Sequence, residues 1–256
     1  MCILFIAVNQ HKDYPLIVAA NRDEFYARPT APSEFWSDNP NILAGRDIQA
    51  GGTWMGINRQ GAFAGLTNIR APHTFRAEAK SRGELVSQFL TAPPDNQTYL
   101  QQIRNSASYY NGYNLIFGRW NNLMVYNNHL DQVDQLETGF YGLSNAWLNS
   151  DWPKIETGVD GLKKVCQNME KFDKDSLFSL LGNQIKAEDH LLPETGVAPE
   201  LEKELSSIFI HLPNYGTRSS TLMYVDQNHH VHWHERSFDT GAKISQESQF
   251  SFPIEN

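Results

Sequence analysis

An α+β layered domain is the fold class the sequence predicts, on three observations. Strand-like runs open the chain, amphipathic helical stretches fill its middle, and strand-like runs return before it ends. That order suits sheets with helices on their outer faces better than a doubly wound parallel sheet. The 256 residues are 40% hydrophobic and 20% charged, enough apolar material for a sizeable core without disulfide staples. No internal repeat, low-complexity tract or linker divides them, so one domain is expected over residues 1–256.

The first β-rich runs fall at 2–9, 15–20, 42–46, 53–58 and 61–67, punctuated by Gly51, Gly52, Gly56 and Gly61. Asn58-Arg59-Gln60-Gly61 between two runs reads as a hairpin turn. Ser81-Arg82-Gly83-Glu84 has capping-box spacing ahead of the apolar stripe Leu85, Val86, Phe89 and Leu90. A second helix is expected over about 95–106, opening at Asp95 after two prolines. Strands return at 113–117, 123–126 and 142–144. Pro153 then opens a helix on which Ile155, Val159, Leu162, Cys166 and Met169 share one face, making Cys166 a core residue. Shorter helices at about 174–182 and 199–206 precede a closing hairpin, 220–226 with 230–237.

Charge and cysteine usage exclude several classes of function. The net charge of −8 and the scattered Arg and Lys offer no basic face for nucleic acid. Cys2 and Cys166 form no CxxC pair, which removes a disulfide framework, a cysteine zinc site and covalent haem attachment, and fits a reducing compartment. The apolar start, residues 2–8, lacks a charged n-region and is too short to span a membrane, so a cytoplasmic protein without membrane insertion is expected.

Candidate chemistry begins at Cys2. If the initiator Met is removed, which a small second residue favours, Cys2 carries both a thiol and an α-amine of pKa about 8, a nucleophile and a base on one residue. The apolar run 16–20 ends in Asn21-Arg22-Asp23-Glu24, four polar residues that need partners: a solvated turn with local ion pairs, or a ligand. An arginine beside the thiol would favour thiolate, and an acid could orient the α-ammonium. Gly51-Gly52-Thr53-Trp54 reads either as hairpin architecture or as a pocket wall, and Arg46 and Asp47 as a structural pair or as pocket charges. His230, His232 and His234 share a strand face, but with no acidic or cysteine ligand beside them no metal site is expected.

The chain resembles the NRDE family, also called the transport and Golgi organisation 2 family, along nearly its full length. The matching stretches are Met1-Cys2 before an apolar strand, 21–24, Ala44-Gly45-Arg46-Asp47, 51–58, Tyr141-Gly142-Leu143-Ser144-Asn145, 215–221 and Glu235-Arg236. The resemblance implies a four-layer αββα sandwich of the N-terminal nucleophile hydrolase type, similar in outline to choloylglycine hydrolases and penicillin V acylases. It assigns Cys2 as nucleophile, Arg22 and Asp23 as its assistants, Asn145 as oxyanion donor and Arg218 as a further pocket arginine. The acylases place their acid three residues after the arginine, whereas Asp23 and Glu24 follow it directly here, so either acid could face Cys2. The function the resemblance implies is intracellular haem binding and trafficking, with haem as non-covalent cargo and haem donor or acceptor proteins as partners. Cys2, His11, His73, His211 and the His230 face are the formal ligand candidates. The alternative is a Cys2-dependent amidohydrolase acting on a non-peptide C–N bond.

Overall fold

The computed structural model describes residues 2–167 and 172–255. Two antiparallel sheets lie face to face. One has the strand order β10 (Gly139–Leu143), β1 (Cys2–Val8), β2 (Leu16–Phe25), β11 (Tyr215–Val225), β12 (His230–Phe238), β13 (Ile244–Pro253). The other runs β3 (Thr30–Phe35), β4 (Ile42–Asp47), β5 (Met55–Asn58), β6 (Ala62–Asn68), β7 (Tyr113–Arg119), β8 (Asn122–Asn127), β9 (Gln132–Leu136).

Strand periodicity builds the layers. Along β1, Leu4 and Ile6 point between the sheets and pack with Val18, Ile57, Phe63 and Ile116, while Ile3 and Phe5 point to the opposite face. That opposite face is covered by α3 (Pro153–Gln167) and α4 (Lys174–Leu181) through Ile155, Leu162, Cys166 and Leu177. On the far side α1 (Gly83–Thr91) and α2 (Asn96–Ser106) cover the second sheet with Leu85, Phe89, Leu100 and Ile103. Helix, sheet, sheet, helix: the four-layer αββα sandwich expected from the sequence. A short fifth helix, α5 (Pro199–Glu204), lies beyond α4. The face expected on α3 is buried as far as Cys166, and Met169 lies outside the described residues.

The structure corrects the sequence reading at several places. β2 does not stop at residue 20 but continues through Phe25, because Asn21 and Arg22 pair in register with both β1 and β11, and Asp23 pairs with β11. Three strands went unanticipated, and all are polar. β3 carries Pro32 at a register irregularity between Ala31 and Glu34, where an edge strand tolerates proline; β9 and β13 are edge strands too. The capping box does not form. Arg82 occupies the N-cap without a side-chain bond, and the Glu84 carboxylate accepts instead from the Tyr110 hydroxyl. Asp95 does cap α2, accepting from the Thr98 N–H at 2.9 Å. The turn at 58–61 closes on Asn58, whose carbonyl accepts from Gly61 at 3.0 Å and whose side chain accepts from Ala62 at 2.9 Å; Gly61 supplies the positive φ of 78°.

Candidate active site

The register of β1 against β2 sets the site. Cys2 lies directly opposite Arg22, so the two side chains share the inter-sheet face at the end of the sandwich. The Arg22 guanidinium donates to Thr30 Oγ1 at 3.0 Å and lies 4.3 Å above the Trp54 ring. Trp54 is therefore a wall of the site, seated where Gly45 has no side chain: a Cβ there would come within 2.2 Å of the indole. Cys2, Arg22, Asp23 and Trp54 line one cleft of about 380 Å³, with Arg28, Arg76, Lys80 and Arg82 adding positive charge and Glu24 and Asp47 negative charge around it.

Asp23 and Glu24 part company. Asp23 is buried, accepts from Thr217 Oγ1 at 2.8 Å, and its main-chain N–H bonds the Cys2 thiol. Glu24 turns outward, accepting from the Phe25 N–H at 2.8 Å and lying 3.9 Å from Arg28. The acid that faces Cys2 is Asp23. Asn21 serves the fold: its Nδ2 donates to the carbonyls of Leu181 at 2.8 Å and Ile208 at 3.0 Å, satisfying the end of α4.

Asn145 follows β10, which pairs with β1. The neighbouring Ser144 hydroxyl lies 3.3 Å from the Cys2 carbonyl oxygen and 3.0 Å from Asn145 Oδ1. Asn145 Nδ2 donates to the Asn68 carbonyl at 3.0 Å, and Asn68 lines the cleft. Arg218 behaves differently. Its Nη1 donates to the carbonyls of Phe25, Tyr26 and Arg28 at 3.1–3.3 Å, so it clasps the chain leaving β2 and supports the cleft from behind. Cys2, Arg22 and Asp23 are thus brought together, Asn145 lines the neighbouring cavity and meets their cleft through Ser144 and Asn68, and Arg218 acts on the neighbouring loop.

Burial sets the electrostatics. It pushes the Cys2 thiol and the Asp23 carboxyl up, lowers Arg22, and brings Lys154 down to about 7 with help from nearby Arg70. The resting thiol is therefore protonated, and a base must act for it to become a nucleophile.

Several residues of this arrangement escaped the sequence reading. Arg82, read as part of a cap, is half-buried in the cleft wall and donates to the Gly112 carbonyl at 3.0 Å. Glu235, present in the sequence only as a motif residue, is buried and takes the Ser33 N–H at 2.7 Å, the Ser33 hydroxyl at 2.8 Å and Thr221 Oγ1 at 3.1 Å, and it feels the charge of Arg22. Lys154, Arg70 and Glu202 form a buried polar cluster around Asn145, with Arg70 ion-paired to Glu202. Isolated in sequence, these residues carry no local pattern; a lysine one place after a helix-opening proline on an otherwise apolar face is the only signal present.

A second cavity of about 730 Å³ opens beyond Asn145, walled by Leu130, Trp147, Trp152 and Leu191 with His73, His129 and His190 at its margin. Of the remaining formal haem ligands, His11 packs against Tyr14 and Phe172, and His211 bonds the Thr240 carbonyl. In the histidine run, His234 is buried against the Tyr224 hydroxyl at 3.0 Å, and an acid does stand beside the run, since Asp226 approaches His232 at 3.1 Å. No group of three or more His, Cys, Asp or Glu among the described residues is arranged to hold a metal ion. No helix among them is long and apolar enough to cross a membrane. Arg46, from the Ala44–Asp47 motif, pairs with Asp38 at 2.7 Å and lies over Trp36, whereas Asp47 takes Arg28 at the cleft.

Comparison with known proteins agrees with this architecture. Two solved variants of the conjugated bile acid hydrolase from Clostridium perfringens superpose with TM-scores of 0.58 and 0.54, at 9% and 8% identity, each covering 100% of this chain and 94% of its own. The shared fold is that of the N-terminal nucleophile hydrolases. In sequence, the chain is 36% identical to the Transport and Golgi organization 2 homolog of Mus musculus over 258 residues, covering 93% of each, and 23% identical to the Drosophila melanogaster protein of that name over 261 residues, covering 93% of this chain and 92% of that one. The profile of the family described as Transport and Golgi organisation 2 matches residues 1–240. The chain belongs to the Transport and Golgi organisation 2 family.

Proposed function

We propose that this chain is a Cys2-dependent amidohydrolase acting on a non-peptide C–N amide bond. The observation that carries the reading is the cleft in which Cys2, its cross-strand partner Arg22 and buried Asp23 meet. After removal of Met1, the α-amine of Cys2 takes the thiol proton, and Arg22 stabilises the thiolate that forms. Sulfur attacks the amide carbon, and the developing oxyanion takes the N–H of Asn145 that Asn68 leaves free. The C–N bond breaks, the amine departs with the proton held by the α-amine, and water hydrolyses the thioester to return thiol and acid. Asp23 holds the α-ammonium between these steps. The fold shared with a conjugated bile acid hydrolase supports an acyl amide as the substrate class.

The test is intact mass spectrometry of the protein incubated with an activated-ester or amide probe, beside Cys2→Ala. The same spectrum reads whether Met1 is gone. An adduct on Cys2, absent from the variant and lost with time in water, supports the reading; an unreactive Cys2 in protein lacking Met1 overturns it.

A second reading, non-covalent haem carriage, is favoured by the cavity beyond Asn145, whose apolar walls suit a planar ring and whose His73, His129 and His190 offer imidazole donors. Haem would be cargo, passed between donor and acceptor proteins. Titration followed by absorbance tests it: a saturable Soret shift that survives Cys2→Ala and weakens in His73→Ala supports carriage there, and no shift removes it. A cytoplasmic location is part of the proposal for either role, and the two free thiols, Cys2 and Cys166, are consistent with a reducing compartment.

A further inference from the structure

The buried lysine of α3 has no place in the chemistry above, yet it is built into the site. Lys154 is 5% exposed, and its Nζ lies 3.3 Å from Asn145 Oδ1 and 3.1 Å from the Leu205 carbonyl oxygen. A lysine is among the costliest side chains to bury, so a structural role alone would be served as well by an apolar residue. Asn145 Oδ1 is the point of convergence. Besides Lys154, it faces the Ser144 hydroxyl at 3.0 Å and Arg70 Nη2 at 3.4 Å. A carboxamide has two ends of nearly equal shape, and only its bonding decides which way it lies. Three donors around one end leave the other to be the nitrogen, which then donates to Asn68.

We propose that Lys154 is a positioning residue of the Cys2 site: with Arg70 and Ser144 it locks the Asn145 carboxamide in the one orientation that presents an N–H, and not a carbonyl oxygen, on the side of the cleft. The inference rests on the amidohydrolase reading for its consequence, but not for its geometry.

The charge state of Lys154 fits the role. Held down to about 7 by burial and by Arg70, its amine is neutral in a large fraction of molecules near neutrality. A neutral amine has two N–H groups, and the two acceptors observed, Asn145 Oδ1 and the Leu205 carbonyl, use both. The other charged groups that face it are Arg70 behind β6, Glu202 on α5, Asp23 on β2 and Cys2 on β1. Protonation adds a cation beside Arg70 without adding an acceptor, and favours the anions of Asp23 and Cys2.

The experiment separates the positioning role from the reaction. The side-chain amide protons of Asn145, assigned by their loss in Asn145→Ser, are followed by NMR in the wild type, Lys154→Met and Lys154→Gln, while probe acylation of Cys2 is timed on the same samples. Lys154→Gln retains a neutral donor and is expected to keep both signals. Lys154→Met is expected to shift or merge the Asn145 amide signals and slow acylation by about tenfold or more, with a melting curve still cooperative. In the wild type, the Asn145 signals are expected to titrate near pH 7 and to stop doing so in Lys154→Gln, which keeps the test alive if Lys154→Met fails to fold. Asn145 signals that neither titrate near pH 7 in the wild type nor change in a folded Lys154→Met would overturn the proposal. Wild-type Cys2 that never acylates, with amide signals behaving as expected, would remove the amidohydrolase reading and leave the positioning role standing.

Discussion

Neutralising Glu202 is expected to weaken the fold by far more than a surface acid would. Its carboxylate pairs with Arg70, with side-chain exposures of 3% and 4%, and also accepts from the Thr195 hydroxyl. Glu202→Gln keeps the shape and one acceptor oxygen but leaves the almost wholly buried Arg70 charge without its counter-ion. Breaking one side of a buried pair costs about 3–5 kcal/mol, and the hydrogen bond that glutamine retains places the expectation at about 3 kcal/mol. For a chain of this size that is a fall in melting temperature of about 6–12 °C. Urea unfolding gives the midpoint, and the partner variant gives the cause. Removing both charges, in Arg70→Met with Glu202→Leu, should recover most of the loss, because the pair must be desolvated to form at all. A Glu202→Gln midpoint within about 0.5 kcal/mol of wild type would refute the argument, since only surface substitutions are that mild. A double variant as unstable as the single one would locate the cost in packing and not in charge.

Three further outcomes follow from close contacts and burial. Gly158→Ala places a Cβ 2.0 Å from the Phe5 ring, so α3 must lift from β1; a loss of about 3 kcal/mol in urea unfolding, partly restored by Phe5→Leu, is expected. Gly45→Ala drives Trp54 from beneath Arg22, and should change the tryptophan emission assigned by difference from Trp54→Phe while losing about 1 kcal/mol of cation–π contact. His234 is lowered to about 4 by burial, with Lys174, His232 and Arg236 adding to it. The unfolded chain therefore binds a proton the folded one refuses between pH 6.5 and 4, and stability should fall as pH drops through that window, by about 3 kcal/mol at most; His234→Gln should flatten the slope.

Much of the fold was legible because it rests on local periodicity. The stripes on α1 and α3 and the apolar runs of β1, β4, β6, β7 and β8 each declare a buried face, and Asp95 and the Asn58 turn declare their own boundaries. β3, β9 and β13 were missed because edge strands expose polar residues, and their pairing is a property of the neighbour. β2 was cut short for a related reason. Asn21, Arg22 and Asp23 look like a solvated turn until β1 and β11 are laid on either side, where each polar group finds a partner. In the same way Ser81-Arg82-Gly83-Glu84 has the spacing of a cap, while tertiary partners take both Arg82 and Glu84.

Taken alone, the order of residues determined the layered α+β class, the helix faces, the family resemblance and the attention due to Cys2 and Arg22. Only the folded chain decided that Asp23 and not Glu24 meets the thiol, that Arg218 grips a loop, and that Lys154, Arg70 and Glu202 gather around Asn145. The physical reason is the same in each case. Periodicity records what a residue avoids, which is water, and can be read one element at a time; a buried polar group records what it bonds, and its partner lies up to 202 residues away, as Glu235 does from Ser33.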